Sequence, residues 1–166
     1  GYPIQLAKNK IFYLYSRKHG DIERDYNYFR MLPEYYSQGN GNFRDVNQNR
    51  REDVRFQPFV KDTNIKTFYN LIQIDGYNPL SVEQVSYRLE LAQIEKILRI
   101  VPEASKLKIL KLLESKFTPG KLFMIVEECQ WKDKEREQEF IETVLQGADG
   151  ETYGSFGEGY WSDHWT

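Results

Sequence analysis

From Tyr35 to Val54 the chain reads YYSQGNGNFRDVNQNRREDV, a run of amides, arginines, acids and glycines with almost nothing apolar in it. Segments able to form a core lie on both sides. A stretch of this kind gains little by burying itself. It has to be carried by neighbours that do fold, as a wall or a long functional loop. The last segment, ETYGSFGEGYWSDHWT, has the same character, with glycines, aromatic rings and polar groups close together. Whatever fold the chain takes must support two irregular, aromatic and polar segments, one near each end of a largely helical middle.

Inside the first of these, FRDVNQNRREDV is expected to be helical. Asn42 can cap it, and Asp45 follows three residues later, where an acid favours a helix start. Arg44, Gln48 and Arg51 then share one face, and Asp45 and Asn49 an adjacent one. The result would be a fan of hydrogen-bonding groups aimed in one direction.

Elsewhere the reading is coarser. Residues 2–18 have mixed apolar spacing that favours a helix over a strand. Residues 62–80 predict a helix with the stripe Ile65, Phe68, Leu71 and Ile72, stopped by Gly76 and Pro79. From 81 to 117 the charged residues fall on helical spacing and read as solvated faces, with Leu107, Leu110 and Leu113 on one side of the stretch that starts near Pro102. TPGKLFMIVEECQ (118–130) predicts a short helix, with a strand as the alternative. Residues 133–150 predict a helix ending at Gly147.

Composition removes several function classes. The 166 residues carry a formal charge of −2, with no basic stripe of the kind a nucleic-acid surface needs. No apolar run is long enough for a membrane span. Cys129 is the only cysteine and His19 and His164 are the only histidines, so neither a disulfide framework nor a metal-ligand pattern is present. A cytoplasmic location fits. Aromatic residues make up 15% of the chain and many stand in polar text. That mixture suits a Tyr-rich core or interface, or a sugar site in which rings stack on pyranose faces while polar groups take the hydroxyls. Gly1 and the dense cluster at the C-terminus lead us to expect a piece of a longer protein.

The carboxylates in unusual surroundings are Asp45, Asp53, Asp75, Glu158 and Asp163. Asp163 lies between Trp161 and Trp165. Aromatic walls exclude water and raise a carboxyl pKa, as a general acid working near neutral pH requires. The alternative is a helix cap or a partner for an arginine.

NFRDVNQNRREDV resembles the Gly-Phe-Arg-Asp-Ser-x-Gln-Asp signature of cellobiose and chitobiose phosphorylases, which are inverting disaccharide phosphorylases. The Trp-x-Asp of YWSDHW is similar to their Trp-Asn-Asp motif, and the order and separation of the two motifs also match approximately. YFRMLPEYYSQGNGNFRDVNQNRREDV and FGEGYWSDHWT look more like the larger relatives that act on β-glucan oligosaccharides. The resemblance covers mainly residues 26–80 and 150–166. Asn49 stands where the disaccharide enzymes have Asp, and Val46 where they have Ser.

The resemblance implies a mainly α fold. Residues 1–166 would be a single partial domain, the N-terminal portion of an (α/α)6 barrel with long polar-aromatic loops. It implies that Arg44, Asp45, Gln48 and Asn49 hold the non-reducing glucosyl unit, that Trp161 packs against that sugar, and that Asp163 protonates the glycosidic oxygen. The reaction would be phosphorolysis of β-linked gluco-oligosaccharides with inversion, giving α-glucose 1-phosphate. No cofactor or metal is implied. Inorganic phosphate is the co-substrate, and its cradle is expected beyond Thr166. One carboxylate is enough, because phosphate arrives as an anionic nucleophile, whereas an inverting hydrolase needs a second carboxylate to activate water. The expected partners are the oligosaccharide, phosphate and the rest of the barrel, with no nucleic acid and no membrane, and a homodimer is an open alternative. The alternative functions are an inverting hydrolase on the same barrel, with Glu158 as the second carboxylate, and a non-catalytic carbohydrate-binding helical domain.

Overall fold

The computed structural model describes residues 1–14 and 31–155. The chain begins with an antiparallel hairpin, β1 (Tyr2–Ala7) and β2 (Lys10–Leu14), paired from Tyr2↔Leu14 to Ala7↔Lys10 with a register shift between Gln5 and Ala7. This corrects the expected N-terminal helix. The turn is made by Asn9 at φ 61, a left-handed conformation that Asn tolerates better than most residues. Phe12 and Tyr13 are buried, and the hairpin packs against the helix that ends the central helical layer.

After the polar run come β3 (Gly41–Asn42), α1 (Phe43–Arg50), the one-turn α2 (Asp53–Phe56) and α3 (Thr63–Asn70). The third helix is shorter than its stripe suggested. Phe68 is buried and Leu71 packs on the same small core, but Ile65 and Ile72 face outward.

Then follow β4 (Ser81–Val82), β5 (Ser86–Arg88), α4 (Leu91–Ile97), α5 (Lys106–Leu113), α6 (Pro119–Glu128), α7 (Lys134–Gly147), β6 (Asp149–Glu151) and β7 (Gly154–Ser155). Residues 81–90 are therefore mainly extended, and helical spacing holds only from Leu91 onward. Val85, Tyr87 and Leu89 recur at every second position, the period of a strand. Helix α5 turns Ile109, Leu112 and Leu113 inward and leaves Leu107 exposed, so its buried face is rotated from the expected one.

Two cores result. Helices α4–α7 and the hairpin share the larger one, centred on residues such as Ile109, Leu122, Phe140 and Val144. The smaller one lies under α1, α3 and β4 and comprises Phe43, Val46, Phe68 and Val82. β5 pairs antiparallel with β6 (Ser86↔Glu151, Tyr87↔Gly150, Arg88↔Asp149), and Tyr87 belongs to the larger core. The fold is mainly helical with small antiparallel sheets. Among the described residues no helix is long and apolar enough to cross a membrane.

Candidate functional site: the polar face of the first helix

Helix α1 leaves the sheet directly from β3. The Asn42 side chain accepts a hydrogen bond from the Asp45 N–H at 3.3 Å, and the Phe43 N–H donates to the Leu80 carbonyl at 3.0 Å. Phe43 and Val46 are buried and anchor the inward face. With about 100° of rotation per residue, that anchoring turns Asn47, Gln48 and Asn49 to the exposed side and leaves Arg44 and Asp45 half-buried.

Arg44 Nε pairs with Asp45 Oδ1 at 3.1 Å. Asn49 Nδ2 donates back to the Asp45 carbonyl of its own helix at 2.7 Å. Arg44, Asp45, Gln48 and Asn49 thus form one polar surface on α1. Within it Asn49 is turned along the helix, and Arg44 and Asp45 form an ion pair that can present both a donor fork and acceptor oxygens.

Trp161, Asp163 and Glu158 lie outside the described residues. The strand before them is described, and it has a fixed neighbour. In the three-stranded sheet of order β3–β4–β7, Asn42 pairs with Ser81 and Ser81 pairs with Ser155. Adjacent strands stand about 4.8 Å apart, so the chain at Ser155 runs roughly 10 Å from the cap of α1.

The other two carboxylates singled out are structural. Asp75 Oδ1 accepts from the Tyr77 N–H at 3.1 Å in an exposed turn. Asp53 Oδ2 accepts from the Tyr13 hydroxyl at 2.8 Å. Asn64 Nδ2 donates to the same hydroxyl at 2.7 Å and to the Arg50 carbonyl at 3.2 Å. Arg50 is buried, with its guanidinium carbon 3.7 Å from the Tyr13 ring centre and 5.8 Å from that of Phe68. Burial pushes the Tyr13 phenol above its usual range; the Asn64 bond opposes this shift and Asp53 adds to it.

This network holds the C-terminal turn of α1 against the hairpin, and so sets the angle at which the polar face is presented. Tyr13 and Asn64 were not foreseen as part of it. Neither carries a local signal, since each finds its partners on a different element. Among the described residues no group of three His, Cys, Asp or Glu side chains is placed to hold a metal ion. In comparisons with known proteins, no family model matches the chain, and no curated protein or solved structure does either.

Proposed function

We propose that these residues belong to the catalytic domain of a cytoplasmic glycoside phosphorylase built on an (α/α)6 barrel. It cleaves β-linked gluco-oligosaccharides with inorganic phosphate and inverts the anomeric centre. Arg44, Asp45, Gln48 and Asn49 grip the hydroxyls of the terminal glucosyl unit, and Trp161 packs against its face. Asp163 donates its proton to the glycosidic oxygen as the bond to the anomeric carbon breaks. Phosphate attacks that carbon from the opposite side, giving α-glucose 1-phosphate and the shortened oligosaccharide.

The observation that carries this reading is the Asn42–Ser81–Ser155 pairing. Two sequence motifs far apart in the chain are the two parts of one site in the family they resemble. Here the backbone leading into the second is paired, through a single strand, to the cap of the helix bearing the first. Asp163 is eight residues beyond Ser155, a reach of at most about 28 Å. A second support is the outward apolar face of α3, where Ile65 is 63% and Tyr69 72% exposed. That face fits a helix made to pack on a further layer, as barrel helices do.

The test incubates the protein containing these residues with β-linked gluco-oligosaccharides, with and without phosphate, beside an Asp163→Asn variant. Phosphate-dependent release of α-glucose 1-phosphate, lost in the variant, is expected. Free glucose released without phosphate would replace the phosphorylase with a hydrolase.

A further inference from the structure

The tip of the N-terminal hairpin, α3 and the β6–β7 connection surround a two-part cleft. The inner compartment holds about 200 Å³ and the outer one about 910 Å³. Asn9, Ile11, Thr63, Thr67, Gly150 and Thr152 line both, so the two parts lie side by side along one wall. Arg44, Asp45, Gln48 and Asn49 line neither of them.

The inner compartment is lined by Tyr13, Arg50 and Asn64 of the network described above. Asn64 uses both hydrogen bonds of its Nδ2, but its Oδ1 is buried and has no partner among the described residues. Folded proteins retain few buried acceptors in that state. This one calls for a donor that the described residues do not supply. The Thr67 hydroxyl donates to the Thr63 carbonyl at 2.9 Å, so its lone pairs are left to accept as well.

The walls discriminate between ligand classes. An anion would meet Asn64 Oδ1, a second acceptor at Thr67 and the carboxylates of Glu83 and Glu151. Of the cations in the walls, Lys66 is paired with Asp62, Lys10 donates to the Ala148 carbonyl, Arg50 is stacked on Tyr13, and Lys61 stands in the outer part. An apolar ligand would leave the orphaned oxygen unsatisfied. A polyhydroxylated ring supplies donors and acceptors together. The inner volume equals about seven waters, and the outer part adds the aromatic side chains of Phe59 and Tyr153, on which a sugar can stack. Asn9 and Lys61, both in these walls, hold left-handed φ values of 61° and 49°, and conformations of that kind concentrate at ligand clamps.

We propose that this cleft is a saccharide-binding site separate from the α1 face, with one sugar ring in the inner compartment donating a hydroxyl hydrogen to Asn64 Oδ1 and the chain continuing past Phe59 and Tyr153. The site does not depend on the phosphorylase reading, and its failure would leave that reading standing.

The experiment is isothermal titration of the full chain with glucose and a β-linked glucotetraose, with inorganic phosphate alone as a control. It is carried out in an Arg44→Ala background, so that the heat reports this cleft and not the α1 face, and repeated there with Thr67→Val and Asn64→Leu, with thermal melting of each variant. The tetraose is expected to bind the Arg44→Ala chain. Thr67→Val is expected to weaken it about three- to tenfold without a change in melting, and Asn64→Leu to weaken it further. No saccharide binding by the folded Arg44→Ala chain would overturn the proposal. So would binding that Thr67→Val leaves unchanged, or occupation by phosphate in place of sugar.

Discussion

The Arg50 guanidinium carbon lies 3.7 Å from the centre of the Tyr13 ring, and this stack ties the last turn of α1 to the second strand of the N-terminal hairpin. Both partners are buried. A cation held over an aromatic face with water excluded contributes about 2 kcal/mol, and the Tyr13 hydroxyl adds its bonds to Asp53 and Asn64. The polar face of α1 is aimed by contacts that none of its own exposed residues make.

Tyr13→Phe keeps the ring and the stack but removes the hydroxyl between Asn64 and Asp53. The expected loss of stability is about 1–3 kcal/mol, since two partly buried polar groups lose a partner. Tyr13→Ala removes the ring as well and is expected to cost about 3–5 kcal/mol. Chemical denaturation of both variants measures the difference. Equal midpoints for parent and Tyr13→Phe would show that the hydroxyl contributes nothing.

Stability is expected to fall at alkaline pH. Burial pushes the Tyr13 phenol up, and pushes Tyr87 up to about 12. In the unfolded chain both titrate near pH 10. Below about pH 10 both states keep their protons and these groups add no slope. Above it the unfolded chain releases protons that the folded chain retains, so the unfolded state gains stability until the raised native values are reached. Denaturation midpoints measured from about pH 8 to pH 11 should drop over the upper part of that range, and Tyr13→Phe should drop less steeply.

Gly120→Ala is expected to dislodge the loop at Tyr35 and Tyr36. A Cβ at Gly120 would stand 1.8 Å from the Tyr35 carbonyl oxygen and 2.8 Å from its carbon, and both are backbone atoms that cannot rotate away. The loop is already held in one conformation, with Tyr36 at φ 52, its ring 5.0 Å from that of Phe123, and the Tyr35 hydroxyl donating to Glu127. A loss of about 1–3 kcal/mol is expected, with new proteolytic cleavage near Tyr36 as the local readout. A variant that melts with the parent and resists cleavage would contradict the close approach.

Gly154→Ala tests whether β7 positions the second motif. A Cβ there would lie 2.6 Å from two carbons of the Pro79 ring, and the strand would have to move off β4. A displacement of about 1 Å at a catalytic group can cost on the order of a hundredfold in rate. On the proposed phosphorylase reading, phosphorolysis is therefore expected to fall at least about tenfold in a variant that remains folded. Unchanged activity would separate this strand from the chemistry.

Much of the helical layer was legible in advance. Asn42 accepts a hydrogen bond from the backbone N–H of Asp45, as a cap should, and α7 ends at Gly147 where the glycine stop places it. The hairpin was not legible. Its turn uses Asn9 without a following glycine, and its strands lack a clean alternation. The two-residue strands β3, β4 and β7 are too short to show any period. The inward rotation of α5 and the outward turn of Ile65 were also hidden, because both helices carry apolar residues on more than one side.

The sequence by itself determined the Asn42 cap of α1, the Gly147 end of α7 and which groups stand together along α1, because caps, turns and side-chain spacing are settled between residues within one turn of each other. Only the tertiary structure decided that Arg50 is buried on Tyr13, that Asn64 keeps an oxygen with no partner among the described residues, and that Asn42 and Ser155 flank the same strand. Those outcomes depend on strand pairing and desolvation between segments distant in the chain, and their energies arise only once both segments have left water together.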